Sequence, residues 1–414
     1  MSASLGQPPW LAAPATQAVL DALEARGGDD CARLVGGCVR NTLIEAPVAD
    51  IDIATRLTPG AVIDALAAAG LKSVPTGLEH GTVTAISSGR PYEITTLRRD
   101  VSTDGRRAVV AFTDDWAEDA ARRDFTLNAL YSDRSGQIFD PTGQGVADAR
   151  AGRIVFVGEP EQRIREDYLR ILRFFRFYAW YGKGAPDTAA LRACAALQAS
   201  VANLSAERKS RELLKLLAAP DPRLTVAMME DIGLLDLVIG FGLDLSRFEG
   251  LVDVDQEEGF APDPVLRLAA LLPDDPGDAL EAAERLRLSN AEANRLALAL
   301  AGGPQPSVFD DPPQSRRHLY ELGAPIFEDR VKLAWARTGA ENDAPAWRSM
   351  LDLAKGWVRP VLPVTGQDAM AAGAAKGPAV GEALRRVQAW WAARDFIDGR
   401  ETALEKLAEF VKGD

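Results

Sequence analysis

The feature that most constrains the fold is a change in the period of the hydrophobic pattern along the chain. Up to about residue 150, short β-rich runs at 33–35, 83–86 and 92–96 alternate with helical patterns. From about Glu161 onward the strand signals end, and Ala- and Leu-rich segments with helical spacing follow, separated by Pro and Gly. This pattern predicts an α+β N-terminal region followed by an all-α remainder.

Length and charge limit the class of protein. The chain has 414 residues, more than one hydrophobic core usually organises, so we expect about two to four domains. Only two histidines are present, His80 and His318, which excludes a His-rich metal site and an HD-type phosphohydrolase domain. The formal net charge of −13 argues against nonspecific binding of nucleic acid, because such binding depends on neutralising phosphates with Lys and Arg. Any RNA partner must therefore meet local basic patches.

Cysteine usage and the N-terminal sequence indicate the compartment. Segment 1–20 carries no basic leader before an apolar core, and no run is long enough to span a bilayer. We therefore expect a cytoplasmic protein with no membrane partner. Cys31, Cys38 and Cys194 cannot form a full disulfide framework and lack metal-ligand spacing, so we expect them to be reduced and buried. The sequence does not define an oligomeric state.

A pair of aspartates forms the first candidate site. Asp50 and Asp52 are separated by one residue, and the period of two in a strand places both carboxylates on one face. Such a pair can hold divalent cations, which in a two-metal site stabilise the attacking and leaving oxygens of a phosphoryl displacement. Upstream, Gly36-Gly37 lets backbone N–H groups approach a phosphate, and Arg40 near a helix start can fork onto its oxygens. An isolated Asp-x-Asp is usually a solvated strand face, but the combination predicts a site for a nucleotide and a metal.

Two further segments carry clustered charges. Segment 122–130, Arg-Arg-Asp-Phe-Thr-Leu-Asn-Ala-Leu, is either a helix N-terminus with surface arginines or a functional motif. Segment 166–177 is predicted as one helix that is apolar around most of its girth, with one narrow charged row of Asp167, Arg170, Arg173 and Arg176. A mostly buried helix seldom carries three arginines without an anionic partner, so the row predicts a ligand-binding face rather than a salt-bridged surface.

The hydrogen-bonding groups of that row suggest what it could recognise. An ionised Asp only accepts hydrogen bonds and Arg only donates them, so the pair Asp167 and Arg170 offers an acceptor beside donors. Cytosine and adenine present an amino donor beside a ring acceptor, whereas uracil and guanine present the reverse order. If the row faces the nucleotide, one such pair would accept CTP and ATP and reject UTP and GTP.

Taken together, these motifs resemble the class II nucleotidyltransferases, which comprise bacterial and eukaryotic tRNA CCA-adding enzymes and bacterial poly(A) polymerases. The resemblance rests on five segments in this order: 36–40, 50–52, 122–126, 166–170 and 204–208. It implies a polymerase-β-like head over residues 1–150, then a helical neck (151–217) that recognises the base. A helical body (218–330) and a helical tail (331–414) that binds tRNA would follow.

The resemblance also implies roles for individual residues. Mg²⁺ would bind Asp50 and Asp52, the catalytic pair. The implied nucleotide contacts are Gly36, Gly37 and Arg40 at the triphosphate, Arg123 and Asp124 at the ribose and triphosphate, Asp167 and Arg170 at the base edge, and Arg173 and Arg176 assisting. Glu93 is either a third carboxylate of the metal site or a charge on a strand face. Asn41 stands where the family usually has Asp, which leaves the role of a carboxylate there in doubt.

Two features favour one activity within the family. Segment 98–107 resembles the flexible loop of full CCA-adding enzymes, and the basic leader of the bacterial poly(A) polymerases is not apparent. The predicted reaction is attack of the tRNA 3′-hydroxyl on the α-phosphate of CTP, twice, and then of ATP, with release of pyrophosphate. The alternatives are a poly(A) polymerase or A-only adding enzyme of the same family, and a tRNA-binding protein without catalysis.

The C-terminal stretches 363–368 and 376–381 resemble the tail of the family. Lys376 and exposed amides near a helix start suit a phosphate of tRNA. An ordinary helix N-terminus explains the same segment, so both interpretations stay open.

Overall fold

The computed structural model describes residues 3–103, 108–240, 242–339 and 343–413, and for 100–103 and 108–110 only the backbone is considered. The chain divides into two compact units, Met1–Val238 and Ile239–Asp414. The first unit contains a mixed sheet with helices and then further helices, and the elements described in the second unit are helical. This confirms the predicted fold class, while the finer division into head, neck, body and tail stays a prediction.

A seven-stranded sheet organises the start of the first unit. Its order is β3-β4-β5-β2-β1-β8-β9, so β2 lies between β1, to which it is antiparallel, and β5, to which it is parallel. The strands β1, β4 and β5 contain the three β-rich runs predicted from the sequence. The strand bounds are β1 Ala32–Val35, β2 Asp52–Thr55, β3 Lys72–Gly77, β4 Thr82–Ser87, β5 Arg90–Thr96, β6 Arg98–Thr103, β7 Ala108–Phe112, β8 Tyr131–Ser132 and β9 Ile138–Phe139.

Helices flank this sheet, and a hydrophobic cluster under β1 and β2 includes Val35, Ala54, Trp116 and Tyr131. The strands β6 and β7 pair only with each other, as a separate two-stranded ribbon. Strand β6 contains residues 98–103 of the predicted flexible loop, and its residues 104–107 lie outside the described residues. The helices of this region are α1 Pro9–Ala12, α2 Pro14–Gly27, α3 Gly37–Leu43, α4 Pro59–Ala68, α5 Trp116–Ala121 and α6 Gly145–Ala151.

The rest of the first unit is helical: α7 Pro160–Glu166, α8 Leu169–Tyr181, α9 Thr188–Leu197, α10 Ala206–Leu217, α11 Arg223–Asp231 and α12 Leu234–Val238. Helix α8 is apolar around most of its girth, as predicted, and its Phe174 and Phe175 are fully buried. Each such ring contributes about 1.5–3 kcal/mol relative to an exposed one. This burial fixes the side of α8 on which its arginines stand.

The predicted helix 166–177 is wrong at its start. Helix α7 ends at Glu166, α8 begins at Leu169, and Asp167 lies between them with extended backbone angles (φ −155°, ψ 106°). The Asp167 side chain accepts a hydrogen bond from the backbone N–H of Leu169 at 3.1 Å, so the aspartate starts a new helix instead of continuing the old one. Hydrophobic spacing did not reveal this break because the apolar positions keep their period across it.

The second unit comprises α13 Leu245–Glu258, α14 Pro264–Leu271, α15 Pro276–Arg285, α16 Asn290–Leu300, α17 Pro312–Leu322, α18 Ala324–Thr338, α19 Ala344–Lys355, α20 Gly366–Ala371, α21 Pro378–Ala393 and α22 Arg400–Lys412. Local sequence explains where several of them begin. Asp263, Asp275 and Asp311 each accept a backbone N–H of the first turn, and each precedes a proline at the first helical position.

Replacement of Gly250 by alanine is expected to destabilise the second unit by about 1–3 kcal/mol. A Cβ there would lie 2.1 Å from the Ala336 carbonyl oxygen, so α13 and α18 would have to separate. Alanine otherwise favours a helix by about 1 kcal/mol, so Gly381→Ala is a matched control: its Cβ would meet only Arg385 Nη1, at 3.8 Å. In urea unfolding, the free energy of unfolding should fall for Gly250→Ala and rise for Gly381→Ala. Equal stabilisation by both substitutions would contradict the close crossing of α13 and α18.

Two smaller predictions can be compared with the structure. Cys31, Cys38 and Cys194 are free and buried, as expected. Within the described residues, no helix is both long and apolar enough to cross a membrane.

Candidate active site

Three carboxylates lie together at one end of β2. Asp52 is the first residue of β2 and is half-buried, and strand pairing places its Cα opposite that of Glu93 on β5. Asp50 precedes the strand and is exposed, so it does not share the strand geometry that the sequence predicted. Burial, together with the negative charges of Glu93 and Asp50, raises the pKa of Asp52 to about 6, against the lowering effect of Arg123. The structure therefore brings Asp50, Asp52 and Glu93 together.

This arrangement suits a Mg²⁺ site that water and substrate complete, rather than a metal site made only of protein side chains. Among the described residues, no three His, Cys, Asp or Glu side chains converge closely enough to hold a metal ion by themselves. Mg²⁺ usually binds through one or two carboxylates, water and substrate phosphates, so half-buried Asp52 with exposed Asp50 beside it is sufficient. The repulsion that disfavours the ionised form of Asp52 is relieved when a cation binds there.

The Gly36-Gly37 turn follows β1 directly and lies beside this acidic group. Gly36 adopts φ 69° and ψ −118°, a conformation that favours glycine, and its carbonyl accepts the first hydrogen bond of α3 from Arg40 N at 2.9 Å. A Cβ at Gly36 would lie 3.8 Å from Arg123 Nη1. The turn, Arg123 and Asp52 thus form one neighbourhood.

Arg40 is buried rather than open to solvent, with 6% exposure. Its guanidinium donates to Asn41 Oδ1 at 3.0 and 2.8 Å, to Asn128 Oδ1, and to the Tyr181 hydroxyl at 2.8 Å. The carbon of the guanidinium lies 4.0 Å from the centre of the Tyr181 ring. Burial lowers the pKa of Arg40 from its ordinary value. Direct contact between Arg40 and a triphosphate stays a prediction.

The residue at the position where the family usually has Asp has a defined role in this structure. Asn41 accepts the two hydrogen bonds from Arg40 through Oδ1 and donates from Nδ2 to the Pro47 carbonyl at 2.7 Å. A carboxylate could accept from Arg40 but could not donate to Pro47. Asn41 therefore connects Arg40 to the segment that leads to Asp50.

Asp124 joins the sheet region to α8. Its Oδ1 accepts from Phe125 N at 2.8 Å and from Asn128 Nδ2 at 3.0 Å, and its Oδ2 accepts from Arg173 Nε at 2.8 Å. Burial would raise the pKa of Asp124, but Arg173 and these hydrogen bonds hold it at about 2. The carboxylate is therefore ionised and held between Asn128 and α8.

The partners of Asp167 and Arg170 differ from the pairing assumed on sequence grounds. Asp167 accepts from Arg208 Nη2 at 2.7 and 3.0 Å, and both side chains are about one-third exposed. Arg170 instead donates to Glu166 at 2.6 Å and to the Arg122 carbonyl at 3.1 Å. The acceptor-plus-donor pair open to a ligand is thus Asp167 with Arg208.

The last arginine of the row, Arg176, pairs with Glu212 of α10 and stacks over Phe177, with 4.3 Å from its guanidinium carbon to the ring centre. Sequence reasoning did not single out Glu212, Asn128 or Tyr181, although all three anchor residues of the site. Arg208 and Asn128 lay within or beside recognised motifs, whereas nothing local marked Glu212 or Tyr181.

The C-terminal candidate lies apart from these residues in the sequence and belongs to the second unit. Lys376 is exposed shortly before α21 begins, and Thr365 and Asp368 form a capping box at the start of α20. The local geometry suits a helix start, and binding of tRNA there stays a prediction.

Comparison with known families and proteins gives consistent results. A family model described as "Poly A polymerase head domain" matches residues 32–155, and one described as "Probable RNA and SrmB- binding site of polymerase A" matches residues 185–239. The chain is 32% identical to the mitochondrial CCA tRNA nucleotidyltransferase 1 of Homo sapiens, over 92% of this chain and 86% of that protein. Its counterpart in Mus musculus is 33% identical over 87% and 82%, respectively. The CCA-adding enzyme of Oceanobacillus iheyensis is 44% identical over 44% of each chain.

Solved structures show the same architecture. The CCA-adding enzyme of Bacillus stearothermophilus in complex with CTP superposes with a TM-score of 0.75 at 26% identity, covering 97% of this chain and 98% of that one. The Thermotoga maritima CCA-adding enzyme complexed with tRNA gives 0.65 at 19% identity, over 95% and 98%, which shows the shared fold.

Proposed function

Because the chain belongs to the family of CCA tRNA nucleotidyltransferases, we propose that it adds C, C and A to the 3′ end of tRNA from CTP and ATP, releasing pyrophosphate. It is a template-independent RNA nucleotidyltransferase. The observation that carries the proposal is the neighbourhood of Asp52, Glu93, the Gly36 turn and Arg123, which combines a cation site with donors for a triphosphate.

We assign the chemistry to these residues as follows. Asp50 and Asp52 would hold Mg²⁺, which would supply charge to lower the pKa of the attacking 3′-hydroxyl and to neutralise developing negative charge. The amide of Gly37 and the guanidinium of Arg123 bind the triphosphate and orient its α-phosphate. The Gly36 amide instead donates to the Leu130 carbonyl at 3.0 Å, so Gly36 shapes the turn rather than supplying a donor. No catalytic histidine is needed for this reaction.

Recognition of the base is assigned to the region where α7 ends and α8 begins. Asp167 accepts from the amino group of cytosine or adenine, and an arginine beside it donates to the ring nitrogen. Arg208 is the arginine that contacts Asp167, while Arg170 is held by Glu166 and supports this arrangement. The ion pair of Asp124 with Arg173 links the sheet region to α8, and Arg176 is held by Glu212 of α10.

The partners proposed for this chain are tRNA, CTP and ATP, and support comes from relatives solved with CTP and with tRNA. A cytoplasmic location stays a prediction, and the human and mouse relatives are named mitochondrial.

The activity is tested with tRNA that ends at the discriminator base, given each nucleotide separately. We expect two additions with CTP, none with UTP or GTP, and one addition of A only on tRNA that already ends in CC. Incorporation of ATP into the shorter tRNA without CTP would instead support a poly(A) enzyme. Addition of A to tRNA ending in CC, with no incorporation of CTP into the shorter tRNA, would support an A-only enzyme. Absence of metal-dependent pyrophosphate release would indicate a tRNA-binding protein without catalysis.

A further inference from the structure

One buried carboxylate holds both arginines of segment 122–123. Asp119 lies on α5 and is 1% exposed. Its Oδ1 accepts from Arg122 Nε and Nη2 at 2.8 and 2.6 Å, and its Oδ2 accepts from Arg123 Nε and Nη2 at 3.2 and 2.9 Å. Burial would raise the pKa of Asp119, but Arg123 and Arg122 hold it at about 2, so the carboxylate is ionised at neutral pH. These hydrogen bonds fix the orientation of both guanidinium groups.

Tyr131 makes further hydrogen bonds to this group. We call Asp119 and Tyr131, which together hold Arg123, the clamp. The hydroxyl of Tyr131 donates to Asp119 Oδ2 at 2.7 Å and accepts from Arg123 Nε at 3.1 Å. The ring is fully buried and packs edge-on against Trp116, with 5.3 Å between ring centres. Because packing fixes the ring, the position of its oxygen is fixed as well.

The clamp leaves one edge of Arg123 for a ligand. Its Nε and Nη2 are occupied, whereas Nη1 has no hydrogen-bond partner among the described residues. Nη1 stands 3.8 Å from the position of a Cβ on Gly36, and the charge of Arg123 acts on Asp52. The remaining donor edge therefore lies at the Gly36 turn, beside the acidic group.

The backbone of residues 122–123 is also held, by a contact with α8. The Arg122 carbonyl accepts from Arg170 Nη2 of α8 at 3.1 Å. The backbone between the two arginines is thus anchored to α8 while their side chains are anchored to α5. A donor held in place before the ligand arrives binds it without a cost of reorganisation.

We propose that Asp119, assisted by Tyr131, is a positioning residue that presents the Nη1 edge of Arg123 to the triphosphate of the incoming nucleotide. This inference rests on the proposed function, in which Arg123 is a triphosphate contact. The competing explanation is that Asp119 only neutralises buried arginines and supports the fold.

The test measures binding of inorganic tripolyphosphate to the full chain by calorimetry in the presence of Mg²⁺. We expect about tenfold weaker binding for Asp119→Asn and about threefold weaker binding for Tyr131→Phe, which removes a single oxygen. Asp148→Asn is the matched control, because Asp148 is equally buried but is ion-paired with Arg153 and accepts a hydrogen bond from Thr126 Oγ1 at 2.6 Å. It should bind as the wild type does.

A double-variant cycle separates positioning from support of the fold. In an Arg123→Ala background, Asp119→Asn should weaken binding by less than about twofold further, since it acts through Arg123. An equal loss in both backgrounds, or wild-type binding by Asp119→Asn, overturns the proposal. If Asp119→Asn does not fold, Tyr131→Phe decides alone, and binding equal to that of Asp148→Asn overturns it.

Nucleotide incorporation adds a second readout. The KM values for CTP and ATP should rise by the same factor in Asp119→Asn, with little change in kcat and unchanged rejection of UTP, because the triphosphate is common to both substrates. A change in base preference contradicts the assignment. If the wild type incorporates no CTP, the proposed function fails, but the calorimetric result for Asp119 still stands.

Discussion

Replacing Asp52 with alanine is expected to lower the rate of CTP incorporation about a thousandfold or more while leaving the protein folded. A bound metal ion supplies several kcal/mol of charge stabilisation, and about 4 kcal/mol corresponds to a thousandfold in rate. Removal of Mg²⁺ with a chelator should reproduce the loss in the wild type. Normal incorporation by the variant would refute the metal assignment.

The stability of the Asp52 variant provides an independent check. Burial and the neighbouring acids raise the pKa of Asp52 to about 6, so its ionised form is disfavoured in the folded state. A raised pKa means that this group stabilises the fold less above pH 6 than at low pH, and its removal should not lower the unfolding midpoint at neutral pH. Mg²⁺ should raise the midpoint of the wild type but not of the variant.

Two further variants sharpen this result. Asp64→Ala removes an exposed carboxylate from α4 of the same unit and should leave activity unchanged. Glu93→Gln distinguishes the two interpretations of Glu93: a loss of about tenfold or more indicates a metal ligand, whereas unchanged activity indicates a charge on a strand face.

Replacing Asp167 with alanine is expected to relax the rejection of UTP by about 10- to 100-fold, which is the effect of losing one charged hydrogen bond. The variant loses the acceptor that distinguishes the amino groups of cytosine and adenine from the carbonyl groups of uracil and guanine. Competition between CTP and UTP on the same tRNA measures the ratio of kcat/KM values.

The structure adds a test of which arginine shares this role. Arg208 contacts Asp167, whereas Arg170 contacts Glu166, so Arg208→Ala should relax selectivity as Asp167→Ala does. Glu161→Ala is the control, because Glu161 is also paired with an arginine, Arg165, but on the exposed side of α7. Unchanged selectivity in Asp167→Ala would remove the base-edge argument.

Local pattern was sufficient for much of the fold. The strands β1, β4 and β5 follow from β-rich runs, and the helical remainder follows from apolar spacing and Pro/Gly punctuation. The sequence also predicted the Gly36 turn, because a turn with positive φ at the end of a strand favours glycine whatever the rest of the fold. Residue type and period report on such features directly.

The break at Asp167 shows where local pattern stops being informative. The apolar positions keep a helical period from α7 into α8, so the sequence predicted one helix across 166–177. The extended backbone of Asp167 and the hydrogen bond from Leu169 N to its carboxylate show that a new helix begins after this residue. Residue type alone does not tell whether an aspartate caps a helix or lies in the middle of one.

The amino-acid sequence by itself determined the fold class, the motifs and the chemistry available to them: carboxylates for a cation, arginines for phosphate, and an acceptor for an amino group. Only the tertiary structure decided the partners. It paired Asp52 with Glu93 across two strands, Asp167 with Arg208 and Arg40 with Tyr181, contacts that join residues 41 to 141 positions apart. Hydrophobic burial chooses such partners by packing whole elements against one another, and no local period encodes the result.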